Sequence, residues 1–326
     1  MARVPPDPRY IFRGDMGCVY CVLFQVDSAT EHLYAGTNTG NVHIWDLKTH
    51  REYGRIKSGN DSCLSLQTLN DDHLFIHHKS GLIRAYKKAE TEWIAYTNVN
   101  IDNYHYCSFL VQSTRTNCDR IQAFSENEIV VPLKESNVGL LSKNTFKVNL
   151  KLNPSDFEKL GDVMVIKPLK DEKLILVGYE GGKLILWDVR QKSSLSSLTV
   201  ETCPIALDFD TTLMKGIIGG PSNQLQVFSL SENHSLHDEK IVTLKNSGTS
   251  VITIRPDGKI VAVGGWDSKV RIFSGKSLKP LAALDQHRDI VQDIAYSSQR
   301  VKTYDNKCLM ATAAEDGYIA LWDIYN

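Results

Sequence analysis

An all-β fold of repeated strand–turn–strand units is predicted by the spacing of a few aromatic residues. The C-terminal stretch Asn306–Asn326 reads as two strands joined by a tight turn, and its second strand ends in Trp322-Asp323. Similar units end in Trp45-Asp46 and Trp187-Asp188. The six anchoring aromatic residues, separated by 41, 101, 41, 45 and 49 residues, are Trp45, Tyr86, Trp187, Phe228, Phe273 and Trp322. A period of about 40–45 residues with this ending is typical of the four-stranded blades of β-propellers.

The number of blades follows from the longest gap. A weak copy near Gly139-Leu140 divides that gap in two, so we predict a seven-bladed WD-repeat β-propeller. Six blades are the alternative, because the stretch assigned to blade three is irregular. We expect a single propeller domain over residues 9–326, preceded by a Pro-rich, disordered lead at residues 1–8.

The last blade needs a strand from the other end of the chain. Its third strand, Tyr318–Asp323, is followed by only three residues, and a blade has four strands. The segment Arg9–Arg13 has the pattern of a short strand. We predict that it pairs beside Tyr318–Asp323 and closes the blade, because closure removes exposed sheet edges.

The other strands are predicted from short apolar segments between turn residues. For blades one to three they are Val19–Phe24, Leu33–Gly36, Val42–Asp46, Ser62–Leu66, Leu74–His77, Leu82–Tyr86, Ile94–Val99, Tyr104–Val111, Arg120–Phe124, Glu128–Pro132, Val138–Leu141 and Phe146–Leu152. For blades four to six they are Val163–Lys167, Lys173–Val177, Leu184–Asp188, Pro204–Phe209, Lys215–Ile218, Leu225–Phe228, Ile241–Leu244, Ser250–Ile254, Ile260–Gly264 and Lys269–Phe273. Blade seven is assigned Leu281–Leu284, Ile290–Tyr296 and the two C-terminal strands.

One short helical segment is expected between blades three and four. Ser155 and Glu158 form a capping-box pattern, and Gly161 is a suitable stop. The sequence therefore predicts one or two helical turns over Asn153–Gly161.

Bulk composition excludes several classes of ligand. The chain has 37 Lys and Arg against 38 Asp and Glu, a net charge of −1, which disfavours nucleic acid as the main partner. No apolar run approaches the ~20 residues of a membrane span, and residues 1–8 lack a signal-peptide core. The seven scattered cysteines are expected to be reduced.

Blade seven carries a polar set with two interpretations. His287, Thr312, Asp316 and Trp322 are spaced so that the indole N–H donates to the hydroxyl, the hydroxyl to His, and the His ring to Asp. A His, an Asp and a hydroxyl also suggest a catalytic triad, but we interpret the set as a buried structural network and predict no catalytic residues. Blade six keeps Asp267 but has Phe273, which cannot donate.

No metal or cofactor is predicted. Cys18 and Cys21 form a C-x-x-C pattern, but residues three apart on a strand face opposite sides of the sheet, so one metal ion cannot take both. No second such pair occurs in the sequence.

Candidate docking residues come from the turns between second and third strands. Counting seven residues back from each anchoring aromatic gives Asn38, Lys79, Glu180, Pro221, Trp266 and Glu315, which should ring one face of the propeller. Trp266 is a candidate interface anchor; the alternative is that it lies flat against a neighbouring blade. The complete set of candidate partner-binding residues is Trp266, Glu180, Tyr179, Lys79, Glu315, Phe157 and Leu160.

Several segments go beyond a generic blade pattern. They are Pro6-Asp7-Pro8, Ile11-Phe12-Arg13-Gly14, Gly40-Asn41-Val42-His43-Ile44-Trp45, Gly178-Tyr179-Glu180-Gly181, Leu207-Asp208-Phe209-Asp210, Thr253-Ile254-Arg255-Pro256-Asp257, Gly265-Trp266-Asp267, Arg271-Ile272-Phe273 and Leu321-Trp322. In these segments the chain resembles the G-protein-beta-subunit-like protein 1 family, which also includes the ASTRA-associated WD-repeat protein. The resemblance covers the whole chain and is weak through residues 90–150, from which no residue role is carried over.

The resemblance implies a non-enzymatic scaffold. It further implies a role in the maturation and stability of phosphatidylinositol-3-kinase-related kinases, with a co-chaperone complex that works with heat-shock protein 90. The expected partners are therefore that co-chaperone complex and large kinase clients. We expect a monomer within a hetero-complex, in the cytoplasm and nucleus, with no membrane partner.

Three other functions are weighed. A substrate receptor of a ubiquitin ligase, or a chromatin reader of modified peptides, is the main alternative. A true G-protein beta subunit is disfavoured, because that class has a long N-terminal helix where this sequence has a Pro-rich lead. An enzyme is disfavoured because no reactive set stands outside the blade-seven network.

Overall fold

The computed structural model describes residues 5–69, 72–89, 92–101, 110–111, 128–142, 144–155, 157–169 and 174–325. These residues form twenty-eight β-strands in seven four-stranded sheets, together with one 3-10 turn at Lys302–Tyr304. The fold is the predicted all-β, seven-bladed β-propeller, and the six-bladed alternative is wrong. No helix within the described ranges has the length and apolar character needed to cross a membrane.

The strands are numbered in chain order. They are β1 (Tyr10–Phe12), β2 (Val19–Val26), β3 (Glu31–Thr37), β4 (Asn41–Asp46), β5 (Glu52–Lys57), β6 (Cys63–Leu69), β7 (His73–His78), β8 (Leu82–Ala89), β9 (Glu92–Asn100), β10 (Leu110–Val111), β11 (Glu128–Pro132), β12 (Val138–Ser142), β13 (Val148–Leu152), β14 (Val163–Pro168), β15 (Leu174–Tyr179), β16 (Lys183–Asp188), β17 (Ser193–Thr199), β18 (Ala206–Asp210), β19 (Lys215–Gly219), β20 (Gln224–Leu230), β21 (Leu236–Thr243), β22 (Thr249–Ile254), β23 (Ile260–Gly265), β24 (Val270–Ser274), β25 (Pro280–Leu284), β26 (Val291–Tyr296), β27 (Met310–Ala314) and β28 (Ile319–Trp322).

Each sheet uses four strands in sequence order, apart from the last. Sheets 1 to 6 are β2–β5, β6–β9, β10–β13, β14–β17, β18–β21 and β22–β25, and sheet 7 is β26, β27, β28 and β1. The chain divides into two compact units, unit 1 with Met1–Leu66 and Leu244–Asn326, and unit 2 with Gln67–Thr243. Unit 1 holds sheets 1, 6 and 7. Unit 2 holds sheets 3, 4 and 5, and sheet 2 from the middle of β6 onward.

The N-terminal strand closes sheet 7, as predicted. β1 pairs antiparallel with β28, with Tyr10 opposite Leu321 and Phe12 opposite Ile319. The Arg9 amide adds a hydrogen bond to the Leu321 carbonyl at 2.7 Å, and its guanidinium contacts Asp323 at 2.6 Å. Phe12 is fully buried, so the closing strand contributes a core side chain as well as backbone hydrogen bonds.

Two apolar clusters form the core of unit 1. One contains Phe12, Leu33, Trp45 and Leu321, and the other contains Ile260, Val291 and Trp322 among its members. The second and third strands of the sheets supply most of these side chains, and consecutive residues of these strands are buried because both faces of each sheet are covered. In unit 2, the core between sheets 2 and 3 includes Phe75, Ile83, Ala85, Ile129, Val131 and Leu141.

The strand Leu281–Leu284 is a correction to the sequence prediction. It belongs to β25, which pairs with β24 in sheet 6, with Leu284 opposite Val270. Its assignment to blade seven was wrong, because β1 already occupies the fourth place in sheet 7. The outer strand of sheet 5 also differs: β21 begins at Leu236, ahead of the predicted start at Ile241, because an exposed outer strand needs few apolar residues.

The predicted helical turns at Asn153–Gly161 are also wrong. None of the described residues of this segment is helical, and a single turn joins the Phe157 amide to the Pro154 carbonyl at 3.0 Å. Lys159 and Gly161 have φ values of 55° and 69°, in the left-handed region that ends a right-handed helix. Of the predicted strands Tyr104–Val111 and Arg120–Phe124, only Leu110–Val111 lies within the described residues.

Candidate protein-interaction surface

The inner strands of sheets 1, 6 and 7 lie side by side in unit 1. The Val22 amide of β2 donates to the Asp293 carboxylate of β26 at 2.8 Å, and the Ser250 hydroxyl of β22 donates to the Val291 carbonyl of β26. The three sheets have the same strand order, so their second-to-third-strand turns lie at the same end of the inner strands. These turns carry Asn38, Trp266 and Glu315.

Trp266 is the exposed aromatic residue of this end. Its side chain is 43% exposed, and its backbone amide donates to the Gly248 carbonyl at 3.0 Å. A Cβ at Gly248 would lie 2.4 Å from indole carbons, so the ring rests directly on the glycine backbone. Gly248 also has a φ of 89°, which glycine tolerates without strain. The ring is therefore supported by the sheet's own entry loop, and part of the indole faces solvent.

An ion pair fixes the backbone next to Trp266. The Arg271 guanidinium contacts both oxygens of Asp267, at 3.0 and 2.5 Å, and the Asn246 amide donates to Asp267 at 2.7 Å. The hydrogen bond from Arg271, supported by that from Asn246, lowers the pKa of Asp267 to about 2 against the opposing effect of burial. The carboxylate therefore stays charged at physiological pH and holds the turn in one conformation.

Glu315 occupies the corresponding turn of sheet 7. Its carboxylate accepts a hydrogen bond from the Gln292 amide at 2.6 Å, and its backbone amide donates to the Ile290 carbonyl at 3.0 Å. The side chain is half-buried. Glu315 therefore combines a structural contact with a partly accessible negative charge.

The polar network predicted in sheet 7 is confirmed. The Trp322 indole donates to the Thr312 hydroxyl at 3.0 Å, and that hydroxyl lies 2.8 Å from His287 Nε2. His287 Nδ1 lies 3.1 Å from Asp316 Oδ2. Burial raises the pKa of Asp316, but the hydrogen bonds from His287 and from the backbone amides of Arg288 and Tyr318 outweigh it and lower the pKa.

This network holds strands and turn together without offering a reactive group to solvent. Thr312 is 0% exposed and His287 is 4% exposed, so a substrate has no access to the hydroxyl. Both ring nitrogens of His287 are occupied by hydrogen bonds. The set therefore fits the structural interpretation of the sequence rather than the triad.

Unit 2 places Glu180 and Lys79 in the equivalent turns of sheets 4 and 2. Glu180 is exposed, its amide donates to the Asp162 carbonyl at 2.9 Å, and its carboxylate accepts from the Asp162 amide at 3.3 Å. Lys79 is half-buried. The prediction that all six turn positions ring one face spans both units and stays a prediction.

Two predicted docking residues are core residues instead. Tyr179 is 0% exposed and Leu160 is 3% exposed, and both belong to the apolar cluster of unit 2 that includes Trp187. Phe157 packs against the same cluster and is partly buried. A close approach of two backbone segments explains this burial. The Gly181 amide donates to the Leu160 carbonyl at 2.7 Å, so the segment that contains Leu160 packs against the turn that follows Tyr179. Tyr179 and Leu160 therefore cannot present side chains to a partner.

Sequence reasoning missed the residues that support Trp266. In the sequence, Asp267 corresponds to the Asp of the blade-seven network, but blade six has Phe273 where that network has a Trp donor. In the structure, Arg271 and Asn246 are the hydrogen-bonding partners of Asp267. Gly248 gave no signal, because nothing in a single sequence shows which ring will rest on a glycine. Within the described parts of the chain, no group of three or more His, Cys, Asp or Glu side chains could hold a metal ion.

Comparisons with known proteins agree with this architecture. The family model described as WD domain, G-beta repeat matches residues 238–274, which run from within β21 to the end of β24. The mouse (Mus musculus) guanine nucleotide-binding protein subunit beta-like protein 1 is 30% identical over 98% of this chain and 97% of its own length.

Fungal proteins named ASTRA-associated protein 1 are also similar. The protein of Schizosaccharomyces pombe is 23% identical over 99% of this chain and 100% of its own length. That of Verticillium alfalfae is 21% identical over 98% of this chain and 93% of its own length. The similarity thus extends over all seven sheets rather than over one repeat.

Proposed function

The chain belongs to the family of guanine nucleotide-binding protein subunit beta-like protein 1, and we propose that it acts as a non-enzymatic adaptor that joins proteins in a complex. Full-length similarity to proteins named as associated with ASTRA is the observation that carries this proposal. The WD-repeat propeller supports it, since a ring of rigid sheets presents turns for binding. Trp266 supplies an exposed aromatic anchor on a turn held by two hydrogen-bonding partners of Asp267.

The more specific role follows from the family resemblance. The adaptor serves the maturation and stability of phosphatidylinositol-3-kinase-related kinases, together with a heat-shock-protein-90 co-chaperone complex, in the cytoplasm and nucleus. The protein enters that hetero-complex as one copy, and the Trp266 turn contacts a protein partner. A near-neutral net charge of −1 suits an adaptor that does not bind nucleic acid.

Depletion and rescue in cells test this role. We expect loss of the protein to lower the steady-state amounts of these kinases without lowering their messenger RNA, and the wild-type protein to restore them. Trp266→Ala should restore them poorly, whereas Leu281→Ala should restore them fully, because Leu281 is 39% exposed on the outer strand of the same sheet. Thermal melting of both variants establishes that they fold.

Two results would contradict the proposal. Kinase amounts that are unchanged on depletion would exclude the maturation role. Accumulation of a client that has lost its ubiquitylation on depletion would instead favour the ubiquitin-ligase receptor, and binding that depends on a modified peptide would favour the chromatin reader.

A further inference from the structure

The connection between β26 and β27 is a loop that is tied to sheet 1. It comprises residues 297–309, here called the 297–309 loop, and contains the 3-10 turn. Glu31, the first residue of β3, accepts hydrogen bonds from the backbone amide of Lys302 at 2.5 Å and from that of Thr303 at 3.3 Å. The Thr303 hydroxyl donates to the same carboxylate. One carboxylate of sheet 1 therefore holds the 3-10 turn of the loop.

The same loop supports the strand that closes sheet 7. The hydroxyl of Tyr304, the residue after Thr303, lies 2.7 Å from His50 Nε2. The His50 ring stacks on Tyr10 of β1, with ring centroids 3.9 Å apart and an interplanar angle of 16°. Departure of the loop from sheet 1 would therefore remove a contact of the side chain on which the closing strand rests.

Thr303 also has the sequence context of a phosphorylation site. Arg300 lies three residues before it and Lys302 one residue before it. Charge patterns of this kind are used by kinases to select their substrates. An arginine three residues before a Ser or Thr occurs four times in the sequence, before Ser58, Ser193, Ser274 and Thr303. Of these acceptors Thr303 alone is exposed, since Ser58 is buried and the other two are half-buried.

A phosphate on Thr303 would face the Glu31 carboxylate. It would add a charge of about −1.5 to −2, which next to a carboxylate disrupts contacts by like-charge repulsion. The cations of the loop are engaged elsewhere: Lys302 Nζ donates to the Ser28 carbonyl of sheet 1 at 3.1 Å, and Arg300 donates to a backbone carbonyl of the loop at 3.4 Å. If Lys302 turned to the phosphate, the loop would lose its contact with Ser28. Either arrangement weakens the attachment of the loop to sheet 1.

We propose that Thr303 is the acceptor of a Ser/Thr kinase that selects arginine three residues before its target, and that phosphorylation releases the 297–309 loop from sheet 1. Thr303 Oγ1 attacks the γ-phosphorus of ATP, its proton passes to the base of the kinase, and ADP leaves. Val301 is fully buried, so the kinase reaches the segment only when the loop has left sheet 1. The phosphate then opposes its return. This modification does not depend on the adaptor role.

Phosphorylation of the full-length protein tests the acceptor. The reagents are radiolabelled ATP and a purified kinase of this class, and mass spectrometry locates the phosphate. We expect stoichiometric incorporation at Thr303, none in Thr303→Ala, and incorporation at least about tenfold slower in Arg300→Gln, which removes the selected charge. Glu31→Gln should be phosphorylated faster than the wild type, because its loop leaves sheet 1 more readily.

Hydrogen exchange and thermal melting measure the release. In the phosphorylated protein the amides of Lys302 and Thr303 should exchange at least about tenfold faster, because they lose hydrogen bonds to a charged group. The melting temperature should fall by about 2–4 °C. In Glu31→Gln the same phosphorylation should change both quantities less, since a neutral amide does not repel the phosphate; this comparison isolates the coupling between the two residues.

A matched variant controls for added charge in the loop. Ser298 is exposed in the same loop and makes no side-chain hydrogen bond within the described part of the chain. Ser298→Glu should therefore leave the exchange of the Thr303 amide and the melting temperature unchanged, whereas Thr303→Glu should accelerate that exchange.

Three results would overturn the proposal. One is absence of incorporation into the folded protein. Another is incorporation at Ser193 or Ser274 while Thr303 stays unmodified. The third is phosphorylation of Thr303 that leaves amide exchange in the loop as it is in the wild type.

Discussion

Asp267 and Asp293 show how far the local environment alone can separate the pKa values of two carboxylates in unit 1. Asp267 has Arg271 and Asn246 as partners, and its pKa falls to about 2. Asp293 accepts only the backbone amides of Val22 and Ile294, at 2.8 Å each, and burial raises its pKa to about 6 despite these hydrogen bonds. The first is charged at any physiological pH, whereas the second exchanges a proton in the acidic range.

A pH dependence of stability follows for Asp293. The native state keeps its proton up to about pH 6, while an unfolded aspartate releases it near pH 3.9. The native state therefore binds more protons between these values, so its free energy of unfolding decreases as pH rises from about 4 to about 6. Urea unfolding at several pH values should show this decrease in the wild type and not in Asp293→Asn.

Asp285→Asn is the control for that experiment. Asp285 is 76% exposed and its nearest basic group, Lys269 Nζ, is 4.0 Å away. Its replacement should leave the pH profile unchanged. A constant difference between the wild type and Asp293→Asn over the whole range would show that Asp293 has an ordinary pKa.

Thr312 is the central member of the sheet 7 network. Thr312→Val keeps the side-chain shape but leaves the Trp322 indole and one His287 nitrogen without their partner. A buried polar group without a partner costs about 1–3 kcal/mol, so the free energy of unfolding should fall by at least about 1 kcal/mol. Thr312→Ser keeps the hydroxyl and should recover most of the loss in urea unfolding; equal stability of the Val variant and the wild type would mean the network is not stabilising.

At the level of elements, the short strand β1 is expected to contribute strongly to the stability of sheet 7. It has three residues, yet it supplies the fourth strand of sheet 7 and buries Phe12 against Trp45, with ring centroids 5.3 Å apart. Its loss would expose the whole edge of β28 and uncover part of the core.

Deletion of residues 1–13 should therefore destabilise the protein, whereas deletion of residues 1–8 should not, because β1 begins at Tyr10. Phe12→Ala alone should cost about 3–5 kcal/mol through the lost burial and the cavity. Thermal melting compares the three variants. A protein lacking residues 1–13 that melts like the full-length chain would refute the closing role of β1.

The sequence predicted inner and central strands well, because their apolar alternation and anchoring aromatics are local signals. The outer strands were harder to predict. β21 is polar and exposed, and only the pairing of β25 with β24 shows that β25 belongs to sheet 6 and not to sheet 7. The helix at Asn153–Gly161 failed because left-handed Lys159 and Gly161 follow the capping pattern. Of the candidate site, Trp266 was found from its turn position, but Tyr179 and Leu160 were not distinguished from surface residues, since burial depends on contacts distant in sequence.

At the level of the molecule, unit 1 carries the Trp266 turn, which exposes an aromatic side chain and is held by the ion pair between Asp267 and Arg271. An exposed anchor on a fixed turn suits an adaptor that contacts another protein.

Affinity purification with quantitative mass spectrometry is the most direct test of the adaptor role. Tagged wild-type protein should recover phosphatidylinositol-3-kinase-related kinases together with co-chaperone subunits, and Trp266→Ala should recover them at least about tenfold less well, the loss typical of an interface anchor. Leu281→Ala should recover them as the wild type does. Recovery of neither class of partner by the wild type, or equal recovery by Trp266→Ala when all three proteins melt alike, would contradict the account.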